Sequence, residues 1–304
     1  MAGLKNIKLK IQSVKKTSTV TRAMEAVSAV KMRKAQQRAL TARPYALSAF
    51  RVLRGLSGSV DLLSHPLMTE RKEGRIAVLL ITSDKGLAGS LNSAVLKKVE
   101  NFIKGRNLKR DDLIFLCLGK RGYEFAQARG YKVAHRHINI SDDIDLEEFE
   151  QITKQITTLY NDGIVRDVHA AYTNYVSTFE QRAAMHKILP LSRLIVEHIV
   201  ADIATPRGKL LDKFEADAVP TYMVEPDASE VFTMLLPLLV NVAIFHKLLE
   251  SKASEHSARM VAMKSATDKA KEMSQILTRK FNKIRQAAIT REVSEITSGI
   301  EAMK

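Results

Sequence analysis

Residues 81–95 read ITSDKGLAGSLNSAV: an apolar run ends, Gly86 and Gly89 follow three apart, and a helix-like stretch begins. Small residues at a strand-to-helix junction can turn backbone N–H groups toward an anion such as a phosphate. The spacing is not that of a nucleotide site, however. A Walker loop requires G-x-x-x-x-G-K and then Ser or Thr, and the dinucleotide fingerprint requires G-x-G-x-x-G; the sequence has neither. Gly86 and Gly89 therefore read as turn residues, and no cofactor is expected. His135 and His137 alternate along a strand-like stretch and could share a metal, but no third ligand lies nearby, so no metal is expected. The acidic run Asp142, Asp143, Asp145, Glu147, Glu148 and Glu150 reads as a helix start whose charge suits the helix N-terminus, not as a catalytic carboxylate pair. Cys117, the single cysteine, lies in the apolar LIFLCLG and reads as core; a disulfide framework is excluded. No Ser-His-Asp or Cys-His arrangement emerges from the spacing, and no catalytic residue is assigned.

The charge is more informative than these groups. The 304 residues carry a net charge of +15. Residues 1–43 hold eleven Lys and Arg against one acid, Glu25, and residues 247–304 hold twelve against seven. Residues 44–246 hold 25 of each sign, so the whole excess lies near the two ends. Such ends predict acidic partners: nucleic acid, anionic lipid or an acidic protein surface. Residues 1–10 have no apolar core of a signal segment. The most apolar stretch, Met234–Phe245, is interrupted by Pro237 and Asn241 and falls short of the ~20 residues a bilayer needs, so no membrane span is expected.

Both ends also lack helix breakers. Residues 4–43 and 238–298 contain neither Gly nor Pro, so each predicts one long helix. The first carries Ile7, Ile11 and Val14, then Val20, Met24, Val27 and Val30. The second carries Leu277, Phe281, Ile284 and Ala288, then Ile289, Val293, Ile296 and Ile300. These are coiled-coil spacings with a local change of register. Met24, Met32, Met260, Met263 and Met273 read as core filling or as soft outer contacts. Asp227 predicts an N-cap with Glu230 completing a capping box, and Pro237 predicts a kink or a later start.

The middle alternates strands (75–83, 112–120, 131–139, 167–177) with helices (91–105, 121–129, 145–161). Residues 184–191 add an edge strand beside Pro190, and 201–220 a loop or short helix. The expected fold is α/β: a Rossmann-like domain with a mostly parallel sheet (58–226), inserted between N-terminal (1–57) and C-terminal (227–304) helices that pair as a long antiparallel coiled coil.

These stretches resemble a known family. IQSVKKTSTVTRAMEAVSAVKMRKAQ, SDKGLAGSLN, EPDASE, ASEHSARMVAMKSATDKA and ITREVSEITSGIEA look like the gamma subunit of the F-type ATP synthase, in its bacterial type. In the last stretch Ile289, Thr290, Glu292, Glu295, Gly299 and Ala302 fit the family signature, while Ile300 stands where the family usually has Ala. The resemblance implies a central rotor stalk of the proton-translocating synthase, non-catalytic in itself, with the catalytic sites on beta subunits. The implied partners are alpha and beta subunits (three of each), the epsilon subunit and the c-ring. The implied location is the cytoplasmic face of the bacterial plasma membrane, reached only through the complex. Carried over by position, Met24, Lys31, Arg259, Arg285, Gln286, Thr290, Glu292, Val293 and Ile296 are the residues expected to meet the alpha/beta ring. The alternative is a basic coiled-coil protein that binds nucleic acid. It is disfavoured by basic ends with few aromatic residues to stack on bases.

Overall fold

The computed structural model describes residues 2–56, 65–192, 195 and 227–303. The 201–220 stretch lies outside the described residues, and the boundaries expected near 57 and 226 fall at the edges of undescribed stretches. Two long helices, α1 (Ala2–Leu56) and a C-terminal helix (Ala228–Ala302), flank the α/β elements. Between them come β1 (Arg75–Ile81), α2 (Leu91–Gly105), β2 (Leu113–Leu118), α3 (Lys120–Ala128), β3 (Val133–His137), α4 (Leu146–Asn161), β4 (Val165–Tyr175) and β5 (Gln181–Leu189); the C-terminal helix is α5.

Each expected strand is present within a few residues. The sheet runs β3-β2-β1-β4-β5, parallel except for β5, which returns antiparallel beside β4 at the edge. β5 starts earlier than expected and stops before Pro190, which has no N–H for a further ladder bond. β1 and β2 read as continuous apolar runs because helices cover both of their faces. On one face Val95 and Val99 of α2 and Phe125 of α3 pack on Val78, Phe115 and Cys117. On the other, Phe149 and Ile156 of α4 join Phe232, Leu236, Leu239 and Leu248 of α5 over Leu79, Leu116 and Ala170. Each such side chain contributes about 1.5–3 kcal/mol on leaving water.

This second layer explains two departures from expectation. Helix α5 begins at Ala228 and continues through Pro237, so the proline does not delay its start. Asp227 Oδ2 accepts a bond from the Ser229 N–H at 3.2 Å, which starts the helix. A window within Ser229–Ile300 is also long and apolar enough by composition to cross a membrane, despite Pro237 and Asn241. Of that window 67% is buried inside the structure, so core packing accounts for its apolar character. Asn241 itself is satisfied internally, accepting from the Thr153 hydroxyl at 2.9 Å.

By its internal contacts the chain forms two units: Met1–Ala29 with Arg259–Lys304, and Val30–Ala258. In the first unit one row of buried and half-buried positions runs along each helix: Leu4, Ile7, Ile11, Val14, Ser18, Thr21, Glu25 and Ser28 on α1, flanked by Met24 and Ala29, and Met263, Thr267, Ala270, Ser274, Leu277, Phe281, Ile284 and Ala288 on α5, flanked by Ala266 and Thr278 and preceded by the covered stretch 259–262. Both sets advance by alternating threes and fours without interruption, the spacing of a continuous coiled-coil seam. The expected change of register does not occur. Val20, Val27 and Val30 are instead exposed, as are Ile289, Val293, Ile296 and Ile300, all at 52–67%. The physical reason is that small hydroxyl residues fill a seam that apolarity alone would assign to valine. Thr267 satisfies its hydroxyl on the Met263 carbonyl at 2.8 Å, so burial costs little. In the second unit Arg38 of α1 stacks 5.9 Å from the Phe245 ring, while Lys31 shares Asp142 with Lys252 and His256. Rising numbers on α1 meet falling numbers on α5, so the helices run antiparallel.

Candidate functional site

The glycine loop is built around its own carboxylate. Asp84 Oδ1 accepts from the Lys120 N–H at 2.9 Å, at the N-terminus of α3, and Asp84 Oδ2 accepts from the Asn139 N–H at 2.9 Å, past β3. Ser83 and Asn92 tie the loop to α2: the Ser83 N–H donates to Asn92 Oδ1 at 3.0 Å. The loop's acidic side chain thus takes N–H groups at the start of α3 and past β3, and fixes the loop to both. Closure also depends on Gly119, whose φ is +109°. A Cβ there would stand 2.1 Å from the Thr82 carbonyl oxygen.

His137 Nε2 lies 2.9 Å from Gln155 Oε1 in the β3–α4 packing, and no group of three or more His, Cys, Asp or Glu side chains suited to a metal occurs among the described residues. His135 is held below its usual pKa by burial and by His137. Cys117 is buried and its thiol is pushed up to about 12 by burial, as a core residue should be.

The acidic run divides into two parts. Asp145 is the N-cap of α4, accepting from the Glu148 N–H at 2.7 Å, with Glu147 and Glu148 in the first turn, as the sequence predicts. Asp142 and Asp143 do something the sequence reading missed: they face the long helices. Lys31 Nζ is 2.8 Å from Asp142 Oδ2, and Lys34 Nζ is 2.7 Å from Asp143 Oδ1. Lys252 Nζ and His256 Nε2 are 3.3 and 3.2 Å from Asp142 Oδ1. The bond from His256, then those from Lys31 and Lys252, hold the Asp142 carboxyl well below the usual carboxylate range against the opposing effect of burial. The available signal was the basic spacing Lys31, Lys34, Arg38 on one helical face, opposite in charge to the run.

The remaining candidates lie on the helices. Arg285, Gln286, Thr290, Glu292, Val293 and Ile296 are exposed on α5, and Met24 is half-buried on α1. Thr290 turns its hydroxyl back to the Gln286 carbonyl at 3.0 Å, and Arg291 pairs with Glu295 at 2.8 Å. Counting antiparallel from Thr21 and Thr267, whose hydroxyls meet, Ala2 falls level with Gln286. Beyond that level the Ile289, Val293, Ile296 and Ile300 stripe of α5 is open among the described residues. Lys31 is not grouped with these residues, being engaged by Asp142, and Arg259 is buried. Of the methionines, Met32 and Met263 are core and Met273 is exposed.

An α/β domain that lies in sequence between two long, paired helices, one of them with an open apolar stripe, defines a helical scaffold protein. Comparison with known proteins gives the family. A family model described as ATP synthase matches residues 3–303. The ATP synthase gamma chain of Heliobacterium modesticaldum is 37% identical over 305 residues, covering 100% of both chains. The fold matches a rotor chain of the Euglena gracilis mitochondrial ATP synthase in rotational state 1, with TM-score 0.60, 14% identity and coverage of 95% of this chain and 99% of that one. It also matches a central stalk/c-ring structure from Tetrahymena thermophila, with TM-score 0.57, 23% identity and coverage of 81% and 99%. The chain belongs to the ATP synthase gamma-chain family.

Proposed function

We propose that this chain is the central rotor shaft of a bacterial-type, proton-translocating ATP synthase. It carries no catalytic site of its own and couples rotation of a membrane c-ring to conformational change in catalytic beta subunits. The observation that carries the reading is the end-to-end identity of 37% with a gamma chain, with no region of either chain left over. The partners are alpha and beta subunits, three of each, the epsilon subunit and the c-ring, at the cytoplasmic face of the plasma membrane. Met24, Arg285, Gln286, Thr290, Glu292, Val293 and Ile296 supply the surface offered to the alpha/beta ring; Lys31 and Arg259 are assigned to it by family resemblance alone.

The physical support is the pairing of charge with exposure. The excess positive charge lies in the stretches that form the long helices, and exposed ion pairs worth about 0–1 kcal/mol each suit contacts that must break and reform on every turn. The family and fold matches reported are all to ATP synthase chains, which leaves the nucleic-acid alternative without support. The test is co-expression with alpha and beta subunits from the same source, reading native mass and ATP hydrolysis on one peak. One copy of this chain in an active complex with three alpha and three beta subunits is expected. A folded chain that stays apart from alpha and beta overturns the reading.

A further inference from the structure

Helix α5 is fixed to the α/β domain by a large apolar surface that includes Phe232, Leu239, Ile244 and Leu248. Helix α1 is held there differently. Among the described residues its buried positions in this unit are Met32, Ala35 and Ala39, two of them alanines with little surface to bury, with Val52 partly buried against the same core. Among the described residues its polar hold is concentrated on one loop, between β3 and α4. Lys31, Lys34 and Arg38 lie three and four residues apart and so share a face. All three engage residues 142–144: Lys31 pairs with Asp142, Lys34 with Asp143, and the Arg38 guanidinium donates to the carbonyls of Asp142 and Ile144. From the other side Lys252 of α5 donates to the Ile140 carbonyl at 2.8 Å and, with His256, reaches Asp142. The two oxygens of Asp142 divide the work. Oδ2 takes α1 and Oδ1 takes α5, so one carboxylate bridges both helices.

We propose that residues 140–144 form a torque clamp, with Asp142 as the positioning residue that stops α1 from rolling against α5 when the shaft turns under load. This rests on the rotor reading and deepens it. A small-residue contact resists rolling weakly, because Met32, Ala35 and Ala39 present a shallow surface. Charged groups held at fixed distance on both helices resist it strongly, because a roll must separate Lys31, Lys34 and Arg38 from their partners together. Without the carboxylate, the Lys31 and Lys252 ammonium groups lose the anion they share, so the bridge becomes a site of repulsion.

The experiment uses the complete synthase in inverted membrane vesicles, with Asp142→Asn, Asp142→Glu and Lys34→Gln in this chain. Three quantities are read: the amount of this chain in the complex, ATP hydrolysis with the gradient collapsed, and ATP-driven proton pumping against a gradient. The clamp predicts that Asp142→Asn assembles and hydrolyses like wild type without load but pumps less per ATP, by roughly threefold. Asp142→Glu should recover most of the pumping, and Lys34→Gln, which loses only the pair with Asp143, should show a smaller loss of the same kind. A defect of folding alone would instead lower assembly and unloaded hydrolysis together; in that case Lys34→Gln decides, since it leaves Asp142 with all of its partners. Unchanged pumping per ATP in Asp142→Asn, or in Lys34→Gln where the first fails to assemble, overturns the clamp and leaves the rotor reading standing. Failure of the wild-type chain to join the complex overturns the rotor reading instead.

Discussion

The hydroxyls of Thr21 and Thr267 lie 2.7 Å apart, buried between helices that are 246 residues apart in sequence. Each hydroxyl also reaches a carbonyl of its own helix, Met263 at 2.8 Å from Thr267 and Ser18 at 3.2 Å from Thr21, so either threonine can donate across the seam. Around them the seam is small and polar, with Ser18, Ser28 and Ser274, while the valines nearby point outward.

Exchanging the two patterns separates their roles. Thr21→Val is expected to cost the isolated chain about 0.5–1.5 kcal/mol, the net worth of one hydrogen bond, and Thr21→Val with Thr267→Val less than the sum of the singles. Val27→Ser, on the outer face, should leave the thermal midpoint unchanged. A midpoint that falls more for Val27→Ser than for Thr21→Val would place the seam on the wrong face.

Two glycines should respond oppositely to alanine. Gly119→Ala drives a Cβ into the Thr82 carbonyl at a left-handed φ and should cost about 2–4 kcal/mol by chemical denaturation. Gly299, inside α5 with nothing within 4 Å of an added Cβ, should gain helix stability of about 0.5–1 kcal/mol. Equal effects at the two positions would contradict the close approach of the loops at Gly119.

The open end of α5 predicts an ordering of assembly defects. A polar Val293→Ser should weaken joining to the alpha/beta ring more than Arg291→Ala, since Arg291 is already paired with Glu295 in water. Both variants should fold like wild type, because neither residue is buried within the chain. Titrating the variant chains into alpha/beta complexes and reading the bound fraction is the check, and equal losses would argue against this orientation of the helix.

His169 predicts an acid-sensitive step. It is buried on β4 beside Phe102, its Nε2 has no hydrogen-bond partner among the described residues, and its pKa is lowered to about 4 by burial and then by Arg106. The unfolded chain takes this proton first, near pH 6.5. The stability contributed by the neutral ring is therefore complete above about pH 6.5 and is lost as pH falls through about 4. His169→Phe should flatten that part of the stability–pH curve; an unchanged slope would exclude His169 as its source.

Much of this molecule is legible in one dimension. The strands of the sheet, their alternation with helices and the long breaker-free ends follow from local pattern, because buried parallel strands are apolar throughout and helices need an absence of Gly and Pro. The family follows from stretches spread along the chain. What tertiary structure alone decided is which face of each helix is covered. Val20, Val27 and Val30 have the spacing of a seam, yet the seam runs through Ser18, Thr21 and Ser28, because hydroxyls can be satisfied by a helix's own carbonyls or by the partner helix, and that partner is distant in sequence. The same holds for Asp84 and Asp142. In sequence each is one acid in a polar stretch; in the fold one ties the β1–α2 loop to the start of α3 and to the stretch past β3, and the other bridges two helices. Charge is local to a residue, but the groups that answer it are assembled only when the chain closes on itself.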